Sequence, residues 1–178
     1  MKIEWSTMDT PAGPLTLLTI ADGVVAGGFT TEPASLHERL TAPLRAAELI
    51  ERRSLGEVSA AAKCYFAGEV TAWDTLPVVQ RGGPFLEKVW RTLRAVPAGE
   101  TVTYTELAAL AGRPEAVRAA AQGCARNLVA PIVPCHRVIG RDGTLRGYYY
   151  GLPVKRWLLD HEAENRQPRR RFNKRIEI

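Results

Sequence analysis

A break at residues 80–84 constrains the fold of this chain more than any other feature. Its sequence, Gln-Arg-Gly-Gly-Pro, places two flexible glycines before a proline suited to the first turn of a helix. The 178 residues suffice for one large domain or two small ones. The break therefore predicts a division into residues 1–83 and residues 84 onward.

The part before the break combines β-prone runs with a helix. Residues 15–20 and 24–29 are apolar and flank Ala-Asp-Gly, which predicts a hairpin. Residues 57–66 predict a helix that ends near Gly68. Cys64 lies inside this helix, where we expect it to be a small, buried packing residue.

Helical periodicity follows the break, and Pro84 starts the first predicted helix. Its apolar residues recur at the spacing of one helix face: Phe85, Leu86, Val89, Trp90 and Leu93. Thr103 and Glu106 then have the spacing of a capping box and predict a short helix that Gly112 closes. Pro114 opens another predicted helix, which reaches about Arg126. We expect its inner face to consist of Val117, Ala120, Ala121 and Cys124.

The last two helices are short and closely connected, which is typical of a helix-turn-helix. Many such helix pairs never touch DNA, so the pattern alone does not establish a DNA-binding motif. Arg113, Arg118 and Arg126 favour that interpretation.

Positive charge is concentrated toward the C-terminus. Residues 1–83 carry 7 Lys/Arg against 10 Asp/Glu, and residues 84–165 carry 11 against 8. Residues 166–178 carry six basic side chains and one acidic side chain. This asymmetry indicates that the C-terminal half meets a polyanion, although a solvated basic tail would explain the last segment equally well.

The cysteines and the N-terminus predict the compartment. The sequence begins without an apolar secretory segment, and no apolar run reaches the roughly 20 residues of a membrane helix. The three cysteines include no CxxC pair, which argues against a disulfide framework or a zinc ribbon. We therefore expect a cytoplasmic protein without membrane contact, in which a free thiol persists.

The stretch around Cys135 is the most informative for chemistry. Pro131 and Pro134 hold the backbone extended, and apolar residues flank a cysteine that precedes His136 and Arg137. A thiolate needs a neighbouring positive charge or a general base to form near neutral pH, and these two residues could supply both. The alternative is a buried cysteine beside a chance histidine.

The sequence resembles the O6-alkylguanine–DNA alkyltransferases. Pro-Cys-His-Arg-Val at 134–138 is similar to their active-site signature, and the likeness is densest from Val96 to about Asn165. Further similar motifs lie at 10–17, 64–69, 97–104 and 142–148. The resemblance implies an α/β protein with a small ribonuclease-H-like domain over 1–83. A mainly helical DNA-binding and active-site domain over 84–165 and a basic tail over 166–178 complete the expected organisation.

The implied activity is direct-reversal DNA repair. An alkyl group, mainly methyl, moves from O6-alkylguanine or O4-alkylthymine in DNA to Cys135 in one irreversible turnover. The implied partner is double-stranded DNA, bound through the minor groove with the damaged base flipped out. That groove suits repair of any sequence because its base pattern is degenerate. We expect a monomer with no obligate protein partner and with neither cofactor nor metal.

The resemblance assigns catalytic roles to four residues. Cys135 is the acceptor, and His136 is the base that takes its proton through a water. Glu162 orients and charges that imidazole, and without the resemblance it could not be chosen over Asp160 or Glu164. Asn127 bridges the recognition helix and the active-site turn.

Other roles concern DNA and the base pocket. Tyr104 is expected beside the target phosphate and the flipped guanine, and Arg118 is expected to replace the extruded base. Tyr148, Tyr149 and Tyr150 fall on the loop that forms the pocket wall. Tyr150 replaces a glycine found in many members, which predicts a smaller pocket. We expect Arg137 to be structural.

Three other classes fit parts of the sequence. A non-enzymatic alkyltransferase-like protein binds the lesion without repairing it, but such proteins carry another residue in place of Cys135 and usually lack an N-terminal domain. A helix-turn-helix regulator would not need Cys135, His136 and Glu162. A cysteine hydrolase is disfavoured because its Cys and His normally come from separate elements.

Overall fold

The computed structural model describes residues 1–168 and 172–174. The chain forms two compact units: Met1–Arg81 with Leu128–Ile132, and Gly82–Asn127 with the described residues from Val133 onward. The first contains a four-stranded sheet and the second is mainly helical. The predicted α/β class is therefore confirmed. None of the helices in the described ranges is long and apolar enough to cross a membrane.

The sheet of the first unit is built around a central pair of antiparallel strands. Its strands are β1 (Lys2–Met8), β2 (Leu15–Ile20), β3 (Gly23–Gly28) and β4 (Glu48–Glu51). They are ordered β3-β2-β1-β4, with β4 parallel to β1 and the other pairs antiparallel. The predicted hairpin is β2 and β3, with a register shift at Leu18 and Thr19.

Apolar side chains of this sheet pack against short helices. The helices are α1 (Pro33–His37), α2 (Ala42–Arg45) and α3 (Glu57–Phe66), the last with the predicted bounds. Ile3, Leu18, Val25 and Leu36 belong to one buried cluster. Cys64 is only half-buried, so the expected buried position is not fully realised.

A later segment returns to the first unit beside β3. Gly27 N donates a hydrogen bond to the carbonyl of Leu128 over 2.8 Å, and Gly27 pairs with Val129 in a parallel bridge. A Cβ on Gly27 would lie 2.7 Å from the carbonyl oxygen of Ala130, so only glycine permits this approach. No sequence pattern predicts this return, which ends just before the Cys135 turn.

The second unit begins with α4 (Pro84–Ala95), as the periodicity predicts. Val89, Trp90 and Leu93 are buried on its inner face. Trp90 Nε1 donates to the carbonyl of Gly123 over 2.9 Å, which satisfies the indole of a buried residue.

Two further helices are α5 (Tyr104–Leu110) and α6 (Val117–Ala125). The predicted capping box of Thr103 and Glu106 is confirmed at the start of α5. The start of α6 was predicted three residues too early. Pro114 lies in a turn in which Ala116 N donates to the carbonyl of Arg113 over 2.9 Å, and Ala116 itself is not helical. Ala120 and Gly123 form the buried face, whereas Cys124 is half-buried.

Short elements then position the active-site segment. Cys135–Arg137 form one turn of 3₁₀ helix that leads into β6 (Val138–Ile139). This strand pairs in parallel with β5 (Val102–Thr103), which precedes α5. Helix α7 (Leu152–Glu164) follows, with Lys155, Leu158 and Glu162 buried on one face.

Candidate active site

The Cys135 thiol lies at the start of the 3₁₀ turn. Cys135 N donates to the carbonyl of Val133 over 2.9 Å, and Arg137 N donates to the carbonyl of Pro134 over 3.0 Å. The residues before this turn are not extended as the prolines predict, because residues 130–132 form a turn and Val133 lies in a bend. Cys135 is half-buried as a residue.

Asn127 connects the end of α6 to this turn. Its Nδ2 donates to the carbonyl of Val133 over 2.8 Å and to Cys135 Sγ over 3.3 Å. Its backbone N–H donates to the carbonyl of Cys124 over 3.3 Å. The amide therefore holds the thiol at a fixed position relative to α6.

His136 and Glu162 form a buried pair beside Cys135 in sequence. His136 Nε2 and Glu162 Oε1 are 2.8 Å apart, and both side chains are 0% exposed. The neighbouring Arg137 also binds Glu162, through Nε to Oε2 and Nη2 to Oε1, each over 2.9 Å. Its Nη1 donates to the carbonyl of Val96 over 2.6 Å.

The neighbours of Glu162 favour its ionised form. Burial alone would raise the pKa of Glu162, but the charge of His136 in its protonated form, the charge of Arg137 and the hydrogen bonds from both residues hold that pKa well below its usual range. Burial also lowers the pKa of His136, despite the opposing pull of Glu162. The carboxylate is therefore ionised and the imidazole is neutral near pH 7.

The tautomer of His136 follows from these charges. An ionised carboxylate only accepts hydrogen bonds, so His136 Nε2 carries the proton. His136 Nδ1 is then an unprotonated acceptor. This atom is buried and has no hydrogen-bond partner among the described residues. The site thus holds a base whose free nitrogen is available to accept a proton.

The thiol itself is protonated at rest. Burial raises the pKa of Cys135, while the hydrogen bond from Asn127 and the charge of Lys155 partly oppose the rise. The sequence had suggested that His136 and Arg137 supply the positive charge. In the structure His136 is neutral and Arg137 is paired with Glu162, so Lys155 is the cation that favours the thiolate.

Comparisons with known proteins establish the family of this chain. Residues 84–164 match the sequence family described as 6-O-methylguanine DNA methyltransferase, DNA binding domain. A methylated-DNA–protein-cysteine methyltransferase of Methanosarcina barkeri is 36% identical over 90% of this chain and 98% of its own length. The chain belongs to the methylated-DNA–protein-cysteine methyltransferase family. The resemblance found in the sequence is therefore confirmed.

Two further relatives extend the comparison. A methyltransferase of the same name from Shigella flexneri is 45% identical over 65% of this chain and 68% of its own length. The structure of Mycobacterium tuberculosis OGT in complex with DNA superposes with a TM-score of 0.77 at 33% identity. That match covers 91% of this chain and 94% of the other.

Lys155 also lies at the site, although the sequence of this methyltransferase family member did not predict it there. It is 1% exposed, and its Nζ donates to the carbonyl of Val138 over 2.6 Å and to that of Arg146 over 3.4 Å. Burial lowers the pKa of Lys155. Its position, seven residues before Glu162 and so on the same helix face, was the available signal.

The three predicted pocket tyrosines differ in exposure. Tyr148 and Tyr150 are half-buried, with ring centroids 5.8 Å apart, whereas Tyr149 is 68% exposed. The hydroxyl oxygen of Tyr148 is buried and has no hydrogen-bond partner among the described residues. Burial raises the pKa of Tyr148 well above its ordinary value, so this phenol is a donor at neutral pH.

The two predicted DNA-contacting residues lie at helix starts. Tyr104 is the half-buried first residue of α5, and burial, with Cys124 and Cys135 nearby, raises its pKa to about 12. Arg118 is exposed in the first turn of α6. Over the described residues, no cluster of three or more His, Cys, Asp or Glu side chains could hold a metal.

Proposed function

We propose that this methyltransferase family member repairs DNA by moving an alkyl group, mainly methyl, from O6-alkylguanine to Cys135 Sγ. O4-alkylthymine is a second substrate. The observation that carries the proposal is the buried His136–Glu162 pair with a bare Nδ1, next in sequence to a thiol that Asn127 fixes. An alkyl acceptor needs this combination, because a thiol becomes a strong nucleophile only as its proton leaves.

The reaction is an in-line displacement at the alkyl carbon. His136 Nδ1 accepts the thiol proton, directly or through a water, while the sulfur forms a bond to carbon. The carbon–oxygen bond breaks, and its electron pair stays on O6 of the base. Guanine then regains its carbonyl and takes a proton from solvent at N1. The ionised Glu162 stabilises the imidazolium that forms.

One chain repairs one lesion. The product is a thioether, in which sulfur no longer carries a proton that His136 could remove. Reversal would require the carbonyl oxygen of guanine, a weak nucleophile, to displace a thiolate from the alkyl carbon, so the transfer is irreversible. The protein acts as a monomer without an obligate protein partner, in a reducing cytoplasm that keeps the thiol free.

In this proposal, α5, α6 and their connection form a helix-turn-helix that contacts DNA. Arg113, Arg118 and Arg126 are exposed there and match the charge of a phosphate backbone. In the minor groove, Arg118 would fill the space of a flipped base while Tyr104 contacts that base and its phosphate. Phosphate contacts of this kind carry no sequence preference, as a repair protein requires.

The basic tail extends this surface. In the described part, Arg166 pairs with Glu100, and Lys174 Nζ lies 3.6 Å from Glu106 Oε2 in the first turn of α5. These pairs neutralise two carboxylates that would otherwise repel phosphates, and one of them, Glu106, lies in the first turn of the helix that Tyr104 begins. Arg169, Arg170, Arg171 and Arg175 lie outside the described residues. Removal of residues 166–178 is expected to weaken DNA binding and its salt dependence, and an unchanged salt dependence would instead favour a solubility role.

The acceptor assignment is tested with Cys135→Ala. This variant should lose transfer from an O6-methylguanine duplex and still bind that duplex, because its DNA contacts are unchanged. Cys64→Ser and Cys124→Ser are the matched controls and should still transfer. Transfer that persists in Cys135→Ala, or a methyl found on Cys64 or Cys124, would contradict the assignment.

The base-flipping role is tested with Arg118→Ala. Repair in a duplex should slow far more than reaction with free O6-methylguanine base, since only the duplex requires a base to be held out of the stack. Arg91→Ala, a change of the same charge on the exposed face of α4, is the control. Equal slowing on duplex and free base would show that Arg118 does not act in flipping.

A further inference from the structure

Two buried side-chain atoms in the described residues have no hydrogen-bond partner: His136 Nδ1 and the hydroxyl oxygen of Tyr148. Buried polar groups are nearly always paired, so each unpaired group requires an explanation. His136 Nδ1 is an acceptor because its ring proton is on Nε2. The Tyr148 hydroxyl is a donor because its proton stays bound far above neutral pH.

These two atoms complement the proposed transfer, on which this inference rests. Transfer removes a proton from sulfur and leaves negative charge on the oxygen that departs from the alkyl carbon. The first change needs a bare acceptor, and His136 Nδ1 provides it. The second change needs a buried donor that keeps its own proton. We propose that the Tyr148 hydroxyl is that donor and binds the leaving O6 oxygen in the transition state.

Hydrogen bonds from one side chain connect the loop that carries Tyr148 to the segment that follows the active-site turn. Lys155 Nζ donates both to the carbonyl of Val138, three residues after Cys135, and to that of Arg146, two residues before Tyr148. This buried ammonium therefore spans the two segments. Burial is the largest cause of the raised pKa of Tyr148, and the charge of an ionised Cys135 is the next largest.

In the proposed step, the C–O bond pair moves onto O6 while the phenol shares its hydrogen with that oxygen. Tyr148 keeps its proton, since its raised pKa exceeds that of the departing base. The proton lost from sulfur is on His136 Nδ1, and guanine is protonated at N1 from solvent. Tyr148 consequently ends the reaction unchanged.

Tyr148→Phe tests the inference because it removes only the hydroxyl and keeps the ring beside Tyr150. Its single-turnover rate on an O6-methylguanine duplex should fall by about 10²-fold, the usual effect of losing one oxyanion donor. Reaction of Cys135 with iodoacetamide should not change, since iodide leaves without a hydrogen bond. The melting temperature should not fall, because the lost hydroxyl has no partner in the described structure. Thr144→Val, which removes an exposed hydroxyl from the same segment, is the control.

A duplex with S6-methylthioguanine separates a donor from a packing residue. Sulfur accepts hydrogen bonds weakly. The unmodified protein should transfer methyl from S6-methylthioguanine more slowly than from O6-methylguanine, and Tyr148→Phe should slow the transfer from sulfur much less than the transfer from oxygen. An equal loss on both bases, or no loss on either, would overturn the inference. Absence of transfer by the unmodified protein would instead refute the proposed function.

Discussion

Arg137 and Glu162 form a two-point ion pair that is almost completely buried, with Nε–Oε2 and Nη2–Oε1 distances of 2.9 Å. After the charge of His136, the charge of Arg137 is the next cause that holds the pKa of Glu162 below its usual range. This assigns Arg137 more than the structural role that the sequence suggested. It helps to keep ionised the carboxylate that accepts the Nε2 proton of His136, which leaves Nδ1 for the proposed role of His136 as a base.

Glu162→Gln should destabilise the fold as well as slow transfer. The substitution leaves Arg137 buried without its anionic partner, a loss of about 3–5 kcal/mol. We expect a lower midpoint in urea and a slower single-turnover rate, with little change in DNA affinity for the folded fraction. Glu164→Gln, an exposed change on the same helix, is the control. Wild-type stability in Glu162→Gln would contradict the buried pair.

Stability should also fall at acid pH. The pKa of Glu162 is lowered in the folded protein, so its contribution is present above the unfolded pKa of about 4.3 and is lost below it. The pKa of His136 is also lowered in the folded protein, so this residue likewise reduces the free energy of unfolding as the pH falls below about 6.5. Urea titrations from neutral to acid pH should show a falling free energy of unfolding. A free energy that rises on acidification would contradict both shifts.

The thiol should react more slowly at neutral pH than an ordinary cysteine. Since burial raises the pKa of Cys135, its alkylation by iodoacetamide should still be rising at about pH 8.5, where a free thiol is half ionised. Lys155→Met should slow this reaction at fixed pH, because the thiolate loses its nearby cation. Arg156→Met, an exposed neighbour, should not. A rate plateau below pH 7 would contradict a protonated resting thiol.

Much of the fold was visible in the sequence because local chemistry determined it. Pro84, the capping box of Thr103 and Glu106, and the helix at Glu57–Phe66 all depend on residues within one or two turns. Non-local features were not visible. The return of Leu128–Ile132 to the first unit depends on the close approach at Gly27, which no periodicity encodes.

The candidate site divided in the same way. Cys135 and His136 were found from their adjacency, whereas Glu162 came only from a family resemblance. Lys155 was missed because a lysine in a helix is normally exposed, and its burial depends on carbonyl oxygens from two distant segments. Which residue supplies the cation near a thiol is decided by three-dimensional packing.

Asn127→Asp should impair transfer more than Asn127→Ala. Both variants lose the donor to Val133 and Cys135 Sγ, at a cost of about 1–3 kcal/mol for a buried unpaired carbonyl. The carboxylate also disfavours the thiolate by charge repulsion. Single-turnover rates and urea midpoints should be compared, with Asn165→Asp as the control. Faster transfer by Asn127→Asp than by Asn127→Ala would exclude the positioning role.

Tyr150→Gly should open the pocket to bulky alkyl groups. Tyr150 is half-buried and its ring lies 5.8 Å from that of Tyr148, so it is not simply directed into solvent. Displacing this ring to admit a bulky group should raise the activation free energy by roughly 1–3 kcal/mol, which corresponds to a rate about 5- to 150-fold lower. Inactivation by free O6-benzylguanine should accelerate by that order in Tyr150→Gly. Equal sensitivity of wild type and variant would show that Tyr150 does not limit pocket size.

The most direct test of the account is the intact mass of the protein after incubation with an excess of O6-methylguanine duplex. We predict a mass increase of one methyl group replacing one hydrogen, located on the peptide that contains Cys135. The increase should stop at one methyl per chain, and unmodified guanine should appear in the DNA in equal amount. An unchanged mass, a methyl on another residue, or more than one repaired lesion per chain would contradict transfer to Cys135.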